Sequence, residues 1–550
     1  MHFCLRKIII PIFCVLIGLS GNLFAQSKDF KAAQSLDIFH SILRELSLFY
    51  VDTVQIEKIV EKGINGMLED LDPYTEYLPE EVADDFDFMT TGQYGGMGAL
   101  IRKVPNGVQI SEPYQGFPAD KAGLVAGDII IEIDGKSTKD MDLVTASSSL
   151  KGVAGSSLTL KVIKLRGGNT ETYSLVRERV HISDITYAGM LSDGIGYIRV
   201  SSFTREGSRD FKNAFLSLQK TGNLQKLVID VRSNGGGLLD EAVNMVSLFV
   251  PRGTEIVAAR GRIKEFEAVY KTKDEPLDTQ IPIAVLVNSV SASAAEILAG
   301  SLQDLDRAVI IGTRTFGKGL VQSVRDLGYN ARLKITTAKY YIPSGRCIQA
   351  IDYSHRNEDG SVGHIPDSLI KSFTTKNGRA VRDGGGIMPD IKSEPHTYAK
   401  ITYDIASRDI LRDYSIQYYA KHENISSPEE FLLTDEEYND FVNFATSKEF
   451  DDRTNTEVLL ERLIAAIKDE RLYNDTKDKL DALQKEINHD KTEKLTRFRS
   501  ELQQLLENEI CARYYYDQGR FRSLLRNDKQ ANEAIRILTN SDEYNQILRP

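Results

Sequence analysis

Cysteine is scarce in this 550-residue chain: Cys4, Cys14, Cys347 and Cys511 are all there are. The first two fall in a leader-like N-terminal stretch, and the single pair left over is no disulfide framework for so long a chain. Neither CxxC nor HExxH spacing occurs, so a protein-ligated metal has no evident donor set, and no cofactor is expected. Basic blocks are absent and the net charge is −11, which argues against nucleic acid as a partner. The apolar run Ile8 to Leu19 is too short to be read with any security as a membrane span. No GxSxG elbow is present, which removes the usual sign of a Ser/His hydrolase. In that reading one of the eight histidines, such as His181, would have to reach the nucleophile.

What is present begins with a leader. Arg6 and Lys7 precede the apolar run, and the stretch ends at Ala25, the shape of a secretory signal over residues 1–25. Its removal takes away both charges and leaves the rest at −13. Left uncleaved, it would tether an exported chain to the membrane. The remaining length is too great for one core. Residues 26–92 carry helical apolar spacing in LDIFHSILRELSLFY and IEKIVEKGINGMLEDL. Residues 93–180 turn to short strands such as GVQI, DIIIEIDG and SLTLKVIKL. Residues 181–395 alternate strands with helices, the texture of an α/β core. A polar insertion at 351–385 interrupts that core, and no role is assigned to it. Residues 396–550 are helical and highly charged, with apolar stripes but no sustained heptads. The fold class is therefore multidomain α/β with helical segments at both ends.

One constellation carries chemistry. Ser293 follows the apolar strand IPIAVLVN and opens the helix AAEILAGSLQDL; Lys318 lies twenty-five positions on, with no histidine between. A serine needs a base to become a nucleophile, and the nearby candidate is an amine. A free lysine is neutral in only about one copy in 10³ at pH 7, and burial among apolar groups shifts that balance. Phe316, Leu320 and Val321 are the candidates for dry surroundings. Gln322 is four residues beyond Lys318, a spacing that returns to the same face and suits its amide to orienting the amine. The Ala294 amide, unpaired in the first helical turn, points where an oxyanion would form. A second donor is sought in SNGGG at 233–237, as the amide of Gly235 or Gly236. Taken singly, a helix-opening serine is an N-cap and a lysine is solvated surface; the case rests on their joint occurrence.

SASAAEILAG, GTRTFGKGLVQ, YYIPSGRCIQ, VIDVRSNGGGLLDEAV, LDPYTEYLP and GIMPDI resemble the C-terminal processing peptidases, or tail-specific proteases, from about residue 35 to 395. That resemblance implies a Ser/Lys serine endopeptidase, with Ser293 as nucleophile, Lys318 as general base and Gln322 positioning it. The Ala294 amide and a glycine amide of 235–236 would form the oxyanion hole. Ser291 is the competing serine in the motif, and Glu296 and Asp304 are read as structural. SNGGG replaces the family's N-P-G-G, so which glycine donates stays open. Tyr94 to Val180 resembles a bacterial, permuted PDZ domain, with FPADKAGLVAGDIIIEIDG its most specific segment. Gly95, Gly96, Met97 and Gly98 would then bind a terminal carboxylate while the next strand edge pairs with the peptide. The implied partners are protein substrates with unstructured apolar C-termini. A homodimer through the N- or C-terminal helices is a further expectation. The charged tail is similar to extensions seen in some Gram-negative members, which points to the periplasm. The rival reading is a PDZ scaffold whose protease-like core is catalytically silent.

Overall fold

The computed structural model describes residues 30–82 and 88–549, in two compact units. The expected leader, 1–25, lies outside them. The smaller unit holds residues up to Pro79 together with Val324–Ile335. Its helices are α1 (30–49) and α2 (Ile56–Glu69), matching the helical spacing of the sequence. Asp72 then makes the turn of LDPYTEYLP, accepting from the Tyr74 and Thr75 N–H groups at 2.8 and 2.9 Å. The strand that follows, β1 (Glu76–Leu78), pairs antiparallel with Arg332–Lys334.

The larger unit begins with a β-rich module. Strand β2 (Gln93–Gly96) opens it; β3 (Ala99–Val104), β4 (Gly107–Pro113) and β5 (Ile129–Ile133) follow. It is completed by β6 (Ser157–Ile163), β7 (Thr170–Val176) and β8 (Glu178–His181). Strands β3 to β7 form an antiparallel sheet in chain order, while β2 pairs with β8. Helix α3 (Pro118–Lys121) and helix α4 (Leu143–Leu150) complete the module around Val108, Ile110, Ile130 and Leu160, all buried.

The α/β core is one six-stranded sheet. Its members are β9 (Ile185–Ser192), β10 (Ile195–Val200), β11 (Lys226–Asp230), β12 (Ile283–Val287), β13 (Ala308–Gly312) and the short β16 (Ile391–Lys392). Only the β9–β10 pair is antiparallel. Every residue of β12 and β13 is buried, which is why both read as unbroken apolar runs: a parallel strand covered on both faces has no polar side. Helices α5 (Gly207–Gln219), α6 (Leu239–Ser247) and α7 (Ala294–Asp304) share a core with one face. Between β13 and β16, β14 (Leu320–Gly328) pairs with β15 (Ala331–Tyr341). The insertion at 351–385 forms two small strand pairs, Ile351–Arg356 with Val362–His364 and Ser372–Thr374 with Ala380–Arg382.

The charged C-terminal region has two roles. Residues from 399 to the middle of α9 (Arg499–Leu525), a helix pair kinked at Tyr516 (φ +55°, ψ −156°), build their own core around Tyr414, Phe441, Leu506 and Ile510. The last helices, α10 (Lys529–Thr539) and α11 (Ser541–Leu548), cover the other face of the α/β sheet, packing Ala531, Ile537 and Tyr544 on Val228, Leu286 and Ile311. The tail is therefore also part of the α/β core. Helix α9 reaches the β-rich module as well: Arg513 donates to the Ser111 carbonyl at 2.6 Å, and Arg520 pairs with Glu112 at 3.0 Å.

Candidate active site

Ser293 sits where β12 hands over to α7. Its φ of +56° and ψ of −116° are unusual for a residue with a side chain and mark a strained reversal between strand and helix. The Glu296 and Ile297 N–H groups both donate to the Ser293 carbonyl oxygen, at 2.9 Å each. Ser291 differs. It is fully buried, and its hydroxyl donates to the Val231 carbonyl at 2.8 Å while accepting from the Asn288 N–H at 3.0 Å. Those bonds make Ser291 a brace between loops.

Lys318 lies in the connection from β13 to β14 and is half-buried. Nothing in the secondary structure fixes its distance from Ser293; a carboxylate does. One oxygen of the Glu296 side chain accepts from the Ser293 N–H and from the Lys318 N–H, both at 2.9 Å. The two backbone nitrogens thus lie within twice that distance of each other. The other oxygen accepts from the Thr315 hydroxyl at 2.5 Å and the Gly317 N–H at 2.7 Å. Glu296 is fully buried, and burial pushes its carboxyl up to about 7 against the pull of these four hydrogen bonds. Its buried, four-bonded side chain is structural, as expected from the sequence, and it is also what ties the two loops together. The pattern Ser293-x-x-Glu296, a capping-box spacing, was the available signal that its side chain folds back onto the serine backbone.

Of the apolar residues near Lys318, Leu320 is buried and Val321 packs on the core, but Phe316 is 49 % exposed. Its N–H is tied to the Ser291 carbonyl at 3.0 Å, so the backbone is docked while the ring faces outward. The Gln322 amide donates to the Thr336 hydroxyl at 3.1 Å, across the β14–β15 pair. That bond leaves its carbonyl oxygen as the end suited to accept from an amine.

The glycine loop after β11 meets the serine directly. A Cβ on Gly236 would come within 2.7 Å of Ser293 Cβ and 3.0 Å of Ala294 N, and its φ is +101°. Gly236→Ala therefore combines a backbone clash with a disfavoured conformation; we expect a drop in thermal stability and a loss of turnover of about 10²-fold, read from peptide-cleavage rates of folded protein. The Gly236 N–H donates to the buried Asn234 side-chain oxygen at 2.8 Å. Among the described residues nothing accepts from the Gly235 or Ala294 N–H. Gly235 is exposed, and the space where a side chain would stand is open. The loop is anchored from below by Asp230. Burial opposes that carboxyl's ionisation, yet the Arg232 and Arg199 guanidiniums hold it down at about 2. Arg232 continues to Asp528, at the start of α10.

Asp304, read as structural, is buried and paired with Arg346 at 2.7 Å. His181 is held by Asp210 at 2.8 Å, and no hydrogen bond links it to Ser293 among the described residues.

In the β-rich module, the carbonyls of Gly95, Met97 and Gly98 accept from Gly152, Ala119 and Tyr114 N–H groups at 2.8 to 3.0 Å. The Met97 and Gly98 N–H groups donate to no described residue. Glycine is required by contact: a Cβ on Gly98 would meet Phe117 Cβ at 2.4 Å. Beside this loop lies a cavity of about 250 Å³ lined by Met97, Leu100, Ile101, Leu143 and Leu150, between β3 and α4.

Comparison with known proteins agrees with this layout. Peptidase family S41 matches residues 194–355, a PDZ domain matches 109–164, and the C-terminal helical domain of probable PDZ-proteases matches 401–538. A carboxy-terminal-processing protease of Bartonella bacilliformis is 37% identical over 354 residues, covering 63% of this chain and 81% of the relative. A probable CtpA-like serine protease of Staphylococcus aureus is 33% identical over 316 residues, covering 57% of this chain and 62% of that protein. Among solved structures, a photosystem II D1 C-terminal processing protease aligns at 29% identity with a TM-score of 0.35, over 64% of this chain and 86% of the other. The chain belongs to peptidase family S41, among the carboxy-terminal-processing serine proteases that carry a PDZ domain, and it adds the protease-associated C-terminal helical domain.

Proposed function

We propose that this protease cleaves peptide bonds through a Ser293–Lys318 dyad after its PDZ domain has captured the free C-terminus of a protein substrate. The observation that carries the dyad is the shared Glu296 oxygen, which brings the backbones of two residues twenty-five positions apart together. The Lys318 amine takes the Ser293 proton as the hydroxyl attacks the scissile carbonyl. An acyl-enzyme forms, the protonated lysine supplies the leaving amine with its proton, and water then repeats the sequence in reverse roles. The Ala294 N–H, at the positive end of α7, stabilises the oxyanion together with the Gly235 N–H, since the Gly236 N–H already donates to Asn234. Gln322 orients the amine through its side-chain carbonyl. No step calls on a metal or a cofactor.

For the PDZ domain, two amides with no described acceptor and satisfied carbonyls suit a carboxylate, and the apolar cavity beside them suits an apolar last side chain. Amidating the C-terminus of a tailed peptide substrate removes the charge those amides bind. We expect kcat/KM to fall at least tenfold while the cleavage sites, read by mass spectrometry, stay the same. Equal kcat/KM for the free and amidated peptides would refute tail capture.

The reading extends to export, on the strength of the N-terminal leader, and to the periplasm of a Gram-negative bacterium, on the likeness of the charged tail to extensions of Gram-negative members. It also includes self-association through α1, where Leu36, Phe39, Ile42 and Phe49 are each 44 to 75 % exposed.

A further inference from the structure

Two loops must hold their spacing for a Ser/Lys pair to work, and Glu296 grips their N–H groups and the Thr315 hydroxyl but none of their carbonyls. The carbonyl side has its own grip. Tyr340, near the end of β15, is 1 % exposed and belongs to the core that includes Ile297 and Leu298 of α7. Its backbone N–H donates to the Gly319 carbonyl at 3.0 Å, which fixes where the ring enters. Its hydroxyl lies 2.5 Å from the Lys318 carbonyl oxygen and 3.2 Å from the Ser293 carbonyl oxygen.

We infer that Tyr340 is a positioning residue for the dyad, its hydroxyl pinning the Lys318 peptide carbonyl against the turn that carries Ser293. This inference rests on the Ser/Lys reading above. A phenol has one proton for two acceptors. The shorter contact takes it in the main, and the Ser293 carbonyl, already accepting two helical N–H groups, shares it as the third centre. The consequence is geometric. Glu296 fixes the peptide plane on the N-terminal side of Lys318; on its C-terminal side Tyr340 holds the carbonyl of the plane whose N–H, that of Gly319, donates to the Gln349 side chain at 2.7 Å. Only side-chain torsions remain to aim the amine. On the serine side the same two groups touch the N–H and the C=O of Ser293. A phenol bound in this way contributes no proton to the reaction; it acts through the placement of the base.

Tyr340→Phe tests this in the full-length protein, because it keeps the buried ring and removes only the hydroxyl. The assay is cleavage of a peptide with a free apolar C-terminus, with KM and kcat measured separately. We expect kcat to fall by about tenfold to a hundredfold with KM within twofold, the signature of a misplaced catalytic group. A merely structural tyrosine would lower the melting temperature and leave kcat of the folded fraction unchanged, which overturns the inference. Should the phenylalanine variant not fold, a fluorinated tyrosine at 340 preserves the shape while making the phenol more acidic. Its kcat should then fall at alkaline pH, where a phenolate cannot donate, with KM unmoved; a profile superimposable on that of the native protein overturns the inference. Ser293→Ala and Lys318→Ala run beside these variants. Cleavage surviving in either one defeats the dyad itself. Loss in both, with native kcat in Tyr340→Phe, defeats only the role given to Tyr340.

Discussion

Cleavage of a tailed peptide falls by about 10⁴-fold or more in Ser293→Ala and again in Lys318→Ala, while each variant folds and still binds the peptide. The first substitution removes the attacking oxygen. The second removes the only proposed acceptor for its proton and the only donor for the leaving amine. Their effects should not add: the double variant is expected to be about as slow as either single one, because the two groups act as one unit. Both side chains are half-buried and neither anchors the core, so melting temperatures should change little. Peptide affinity, measured by fluorescence anisotropy with a labelled tail, reports on the PDZ domain and should match the unsubstituted protein. Turnover retained in either purified variant would end the Ser/Lys mechanism.

Glu296→Gln carries the second large effect. The carboxylate accepts four hydrogen bonds, two on each oxygen. A carboxamide keeps one acceptor and turns a donor toward two others. Each orphaned buried donor costs about 1–3 kcal/mol, so the variant is expected to lose several degrees of melting temperature. The loop that carries Lys318 also loses its tie to Ser293, and kcat should fall by about 10²-fold. Acidity offers an independent reading. Burial raises the Glu296 carboxyl from 4.5 to about 7 in the folded chain. Folded protein therefore holds a proton that the unfolded chain has released between those values. The stability from this proton is fully present below about 4.5 and is lost as pH rises through about 7, a difference of roughly 3 kcal/mol. Activity runs the other way, because only the ionised carboxylate can accept all four donors. Relative to Glu296→Gln, the native protein should lose stability between pH 5 and pH 8 while it gains activity. Denaturant melts and cleavage rates over that range measure both, and a native-minus-variant stability difference that is flat with pH would rule out the buried, proton-sensitive clamp.

Much of the architecture was legible because the elements that carry it are periodic or apolar enough to identify themselves. IPIAVLVN reads as an apolar strand and contains β12; AAEILAGSLQDL reads as a helix and contains α7. FPADKAGL and the strands of residues 93–180 followed the same local rules. Less legible were elements whose stability comes from distant partners. Strand β14 has a polar, exposed far end, and the insertion at 351–385 forms strand pairs of three to six residues that no periodicity announces. In the sequence, helices α10 and α11 read as part of the charged helical tail. Their apolar faces belong to the α/β sheet, a fact that depends on where the chain returns after α9.

The same division runs through the candidate site. Residue types, the spacing of Ser293, Lys318 and Gln322, and the glycine-rich loops could be named from the chain alone, because a nucleophile needs a base and a close backbone approach needs glycine. The sequence by itself also determined that this is a several-domain α/β chain with a β-rich module and helical ends. Only the tertiary structure decided that Ser291 is a brace, that the Gly236 N–H is held by Asn234, and that Glu296 and Tyr340 grip the same two backbones from opposite sides. The reason is physical. Local sequence sets backbone preference and which faces are apolar, but a hydrogen bond between loops twenty or more residues apart exists only after the sheet has formed and its edges have been packed.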